Sequence, residues 1–181
     1  MRPLSSLRGR LVVVVAVLAV LLAGAGASAL LAQERTVSAN ERLSGQYLPA
    51  LVTVERLRSA FVDQQTAVRG YLLTGNEQLL EPFREAEQTI PALEEQLRPV
   101  LAEAGTADGS LEAVQEAHAV WLARAANPSI AVRATGGDAE VDAFVVASPG
   151  RGTFDTLRAR VDHLRANIDA AVAAETARTT A

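Results

Sequence analysis

The chain has 181 residues, no cysteine, and 17 basic residues, all arginine, against 21 acidic ones, for a formal net charge of −4. The missing cysteine excludes disulfides, thiol chemistry and a cysteine-based zinc site, and the acidic balance argues against a nucleic-acid partner. Aromatic residues make up only 4%, and the abundance of alanine, leucine and glutamate favours helices over strands, so the fold class is all-α.

The first element in chain order is apolar. Arg2, Arg8 and Arg10 are the only charges before Gln33, and residues 11–32 carry none. As a helix this stretch rises about 33 Å, enough to cross a hydrocarbon core of about 30 Å. The positive-inside rule places residues 1–10 in the cytoplasm, makes 11–32 a transmembrane signal anchor and exports 33–181. The rival reading is a cleavable signal peptide, with Leu11 to Leu22 as its apolar region and Ala27-Ser28-Ala29 as a small-x-small cleavage site, giving a secreted protein. Leu30 and Leu31 prolong the apolar run past that site and favour the anchor.

The exported part carries four apolar stripes at helical spacing. The first is Tyr47, Ala50, Val54, Leu57, Phe61, Gln64, Val68, Tyr71, alternating steps of three and four. Gly45 and Pro49 should break or kink this helix near the membrane. Thr74-Gly75 should end it, with Gly75 in the left-handed cap and Asn76 capping the next helix. The second stripe is Phe83, Ala86, Ile90, Leu93, Leu97, Val100, which Pro91 and Pro99 should kink or shorten. Gly105 to Gly109 form a loop, and Ser110 is the expected cap of a third stripe, Leu111, Val114, His118, Trp121, Ala125, stopped at Asn127-Pro128. Residues 129–150 are less regular, with a short apolar piece from Val141 to Val146. The last stripe is Phe154, Leu157, Val161, Leu164, Ile168, Ala171. Four such helices with short connections predict an antiparallel four-helix bundle behind an N-terminal transmembrane helix.

The segment DQQTAVRGYLLTGNEQLLEPF, Asp63 to Phe83, resembles the signature of CHASE3 domains, extracytoplasmic sensory modules of bacterial receptors. Arg69-Gly70-Tyr71-Leu72-Leu73-Thr74-Gly75 and Pro82-Phe83 carry the likeness. Gln65 stands where the family usually has an acid, and Ala67 where it usually has glycine. A weaker likeness runs on through Trp121, Asn127-Pro128-Ser129-Ile130 and the final arginine-rich helix. The resemblance implies an up-down helical bundle between two membrane spans. The second span would lead to a histidine kinase, a cyclic-dinucleotide enzyme or a chemotaxis output.

Several residues have a functional and a structural reading. Gly70 inside a helix costs about 1 kcal/mol relative to alanine; it serves either close helix packing or, with Gly75, a hinge. Gln64, Gln65, Arg69 and Tyr71 are the ligand-binding candidates, although Arg69 also suits the dipole of a helix C-terminus and a buried amide often fixes register. His118 on an apolar stripe is a hydrogen-bonded core residue unless Glu112 or Glu140 joins it around a metal. His163, in Asp162-His163-Leu164-Arg165, faintly resembles a phospho-acceptor box without the glutamate and proline that usually follow. No nucleophile–base order, paired-carboxylate motif or phosphate loop is present, so neither catalysis nor a cofactor is expected. The reading is a non-enzymatic sensory input module anchored by residues 11–32, coupled to a downstream signalling domain or partner protein. A leftover apolar stripe can pair in a homodimer. The alternative is an exported bundle, anchored or secreted, that docks a partner protein without signalling.

Overall fold

The computed structural model describes residues 16–24, 43–103, 109–147 and 150–180, and all regular structure among them is helical. A π-helical turn, Leu43–Tyr47, leads into α1, Leu48–Thr74. Pro49 sits in the first turn of α1, directly after the π-helical turn, and the chain stays helical through it, so it does not break the helix. All eight residues of the first stripe are buried. Gly75 ends α1 at φ 71° and donates its N–H to the Tyr71 carbonyl. The Asn76 side chain accepts from the Gln78 N–H and caps a 3₁₀ turn, Glu77–Leu80, that runs into α2, Glu81–Glu103.

Pro91 and Pro99 do not shorten α2, which passes through both. Both prolines are on the exposed side, while Phe83, Ala86, Ile90, Leu93 and Leu97 are buried. Each large apolar side chain contributes about 1.5–3 kcal/mol on burial, which together offsets about 3 kcal/mol per interior proline. Leu101 takes the last buried position in place of Val100, which is half-buried.

Helix α3, Ser110–Trp121, starts at Ser110 itself. The capping position belongs to Gly109, at φ 79°, so Ser110 is the first helical residue and not the cap. Leu111, Val114, Trp121 and Ala125 are buried, and His118 is half-buried. The expected stop at Asn127-Pro128 is also corrected. The chain stays helical through a π turn, Leu122–Ala126, into α4, Asn127–Thr135. Proline has no N–H for the carbonyl four residues back, and its ring crowds that carbonyl. The π turn shifts the pairing, so that the Asn127 N–H reaches the Leu122 carbonyl. The buried Ser129 hydroxyl then donates to the Ala125 carbonyl at 2.7 Å. Residues 138–147 form a short helix, α5, Asp138–Ala147, in which only Val141 is buried. Helix α6, Arg151–Thr180, buries Phe154, Leu157, Val161, Leu164 and Ile168, and Ala171 is half-buried.

Helices α1 and α2 pack along each other, as do α3 and α6; α1 also touches α4 and α6, and α4 touches α5. Ion pairs Arg58–Asp162, at 3.0 Å, and Glu55–Arg165 set α1 and α6 antiparallel. The Gln115 amide donates to Glu94 at 2.7 Å and Arg98 lies 3.7 Å from Glu112, setting α2 and α3 antiparallel. Burial raises the Glu94 carboxyl above the usual range, opposed by the Gln115 hydrogen bond and the Arg98 charge. Among the described residues no helix is long and apolar enough to cross a membrane. Of the expected span 11–32, residues 16–24 are helical and exposed, and the rest lies outside the described residues.

Candidate functional site

Beside the buried stripe of α1 runs a second row, Val62, Gln65, Arg69 and Leu73, at steps of three and four, so one turn follows another along the same face. This row forms one wall of a cleft of about 670 Å³. Its floor is Val68, Leu72, Trp121 and Phe154. Phe144 and Val145 of α5 form a further wall, and Ser129, Asp155 and Arg158 supply polar edges. The start of α6 comes very close to the π turn: a Cβ on Gly150 would stand 2.5 Å from the Ala125 Cβ. Only glycine allows that approach, and it brings Phe154 against Trp121, with ring centroids 5.5 Å apart.

Charge in the cleft is uneven. Arg158 pairs with Asp155 one turn earlier, and its guanidinium lies 5.5 Å from the Phe154 ring centroid. Arg69 has no carboxylate partner among the described residues. Among the described residues the cleft therefore carries one uncompensated positive charge over a buried aromatic layer.

Behind that floor lies a buried polar pair. Gln64 is fully buried, and its side-chain oxygen is 2.8 Å from His118 Nε2. The His118 ring packs against Phe61 at 4.7 Å and Trp121 at 6.0 Å between centroids. Burial lowers its pKa from 6.5 to about 4, so at neutral pH the ring is uncharged and its Nε2–H donates to Gln64. The Gln64 Nε2 has no hydrogen-bond partner among the described residues.

The four ligand candidates thus separate. Gln65 and Arg69 line the cleft; Gln64 lies behind it with His118, and Tyr71 is buried in the core. Gly70 lies under the returning chain, where a Cβ would meet Leu79 Cδ1 at 3.2 Å, and Gly75 lies beside the Arg133 guanidinium. Among the described residues no group of three or more His, Asp or Glu could hold a metal. Arg158, Asp155 and Phe144 were not among the candidate site residues, and Ser129 entered only through the weaker family likeness. Periodicity shows which side chains leave the core stripe, but not which of four distant segments share a cavity.

The described residues thus form an all-helical module with a cleft over a buried aromatic layer. The CHASE3 domain family matches the chain over residues 40–178, and the chain belongs to that family. CHASE3 domains are extracytoplasmic sensory modules of receptors. No curated protein and no solved structure matches the chain.

Proposed function

We propose that this chain is the input module of a bacterial signal-transduction receptor, in which a stimulus moves helices and the movement is passed through the membrane. The observation that carries this reading is the CHASE3 match over residues 40–178. Helices α1, α2, the α3–α4 rod and α6 then form an antiparallel four-helix bundle. The ion pairs of α1 with α6, the polar contacts of α2 with α3, and the four buried stripes support this arrangement. Residues 11–32 anchor the module with the N-terminus in the cytoplasm, supported by their unbroken apolarity and the arginines before them. The start of α1 and the end of α6 lie at the same end of the antiparallel pair, so both lead toward one membrane face. A stimulus acts through different affinity for two helix arrangements. Gly70 and Gly75 are the proposed hinge, and a second copy, a downstream signalling domain or a partner protein receives the movement. Catalysis has no part in this function.

The test is a chimera in which residues 1–181 are joined through a membrane span to a histidine-kinase output. One, two, three and four residues are inserted in turn after residue 180. Output is expected to rise and fall with helical phase. Output indifferent to the insertions would remove the input-module reading.

A further inference from the structure

We propose that the cleft between α1, α5 and α6 binds a small organic monoanion with an apolar body, a carboxylate carried on an aryl or alkyl group. Its volume of about 670 Å³ falls within the roughly 300–1,000 Å³ of small-molecule sites. The apolar surface open to a ligand comes from Val62, Leu73, Phe144 and Val145, over a buried layer of Trp121, Phe154 and Leu72.

Charge sets the sign and number of the ligand's ionised groups. Arg158 is compensated by Asp155, so it adds little net field. Arg69 is uncompensated among the described residues and stands one helical turn from Gln65 on the same wall. A guanidinium matches a carboxylate as a planar fork, and an amide one turn away adds a neutral donor. One free cation suits a monoanion. A dianion would bring a charge with no partner, and an amine would face Arg69 unfavourably. Binding as such stands on the cleft alone, and only its signalling consequence rests on the sensory reading above.

Trp121 is the chain's single tryptophan and lies in the cleft floor, so its fluorescence reports occupancy directly. The full chain in lipid nanodiscs is titrated with 3-phenylpropionate, with 3-phenylpropanol and with 3-phenylpropylamine, against empty nanodiscs. The acid is expected to give a saturable change, the alcohol a weaker one and the amine none. Arg69→Gln should raise the Kd for the acid about tenfold, the scale of one lost charge-assisted hydrogen bond, and leave the alcohol unchanged. Arg69→Lys should recover part of that loss. Arg84→Gln, on α2 and outside the cleft lining, should change nothing. Equal binding of acid and amine, a non-saturable response, or an Arg69→Gln variant with unchanged affinity overturns the proposal. If the acid binds but output in the kinase chimera is unmoved by both ligand and insertions, the sensory reading fails and the site stands. If the insertions modulate output but the acid does not bind, the site fails and the sensory reading stands.

Discussion

The side-chain oxygen of Gln64 lies 2.8 Å from His118 Nε2, joining α1 to α3 across the interior. Both residues occupy positions that their helices otherwise fill with apolar side chains. Removing His118 leaves the fully buried Gln64 amide with nothing to bond, and removing Gln64 strips the half-buried His118 ring of its partner. Gln64→Leu and His118→Phe are each expected to destabilise the full chain by about 1–3 kcal/mol. The double substitution should cost less than the sum of the two, because it removes the donor and the acceptor together. Urea denaturation of the four proteins measures the coupling, and strictly additive losses would show that the pair contributes nothing.

The same histidine makes stability depend on pH. Its folded pKa of about 4 lies below the ordinary 6.5, so between these values the unfolded chain binds more protons than the folded one. Stability is therefore fully present above about pH 6.5 and falls as pH drops toward 4. Between pH 7 and pH 5 the loss should be roughly 2 kcal/mol. Thermal melting at the two pH values, for the natural chain and for His118→Phe, checks this. The variant should show a shallower slope, and an identical slope in both would assign the acid sensitivity elsewhere.

The two glycines at the α1–α2 corner should respond differently. Gly75 has φ 71°, and a Cβ there would stand 2.8 Å from Arg133 Nη2, whose Nη1 is held by Asp138 at 3.0 Å. Gly75→Val should cost about 1–3 kcal/mol from backbone strain alone. Gly70 has ordinary helical geometry, and its added Cβ would press on the tip of Leu79 at 3.2 Å. Leu79 is partly exposed and can turn aside, while alanine gains about 1 kcal/mol of helix propensity. Gly70→Ala should therefore leave the melting temperature nearly unchanged or slightly raised. A large drop would show that Leu79 cannot move and that Gly70 serves packing.

Much of the helical layout was legible because a helix that buries one face repeats its apolar residues every three or four positions. The first stripe, Tyr47 to Tyr71, is buried at every position, including the polar Gln64. The stop at Pro128 and the shortening of α2 were misread because proline's local cost is fixed while its remedy is not local. Pro128 is accommodated by a π turn and by the Ser129 hydroxyl, neither of which has a periodic signature. Pro91 and Pro99 are tolerated because the opposite face of α2 is held by its neighbours. The site was half legible. Arg69 and Gln65 stood out within a family-like segment, but the cleft they line is completed by Phe144, Phe154 and Arg158, distant in sequence and brought together only by folding.

The two ion pairs between α1 and α6 act as a key against slippage. Along α1 the order is acid then base, Glu55 and Arg58; along α6 it is also acid then base, Asp162 and Arg165, read in the opposite direction. Slide α6 one turn one way and Arg58 faces Arg165; slide it one turn the other way and Glu55 faces Asp162. Both whole-turn slips set like charges against each other, and only the observed alignment satisfies all four residues. Exposed pairs of this kind add little to stability, yet they select one axial setting from three. The first and last helices are thus discouraged from stepping lengthwise past each other, and raising the salt concentration loosens that restriction.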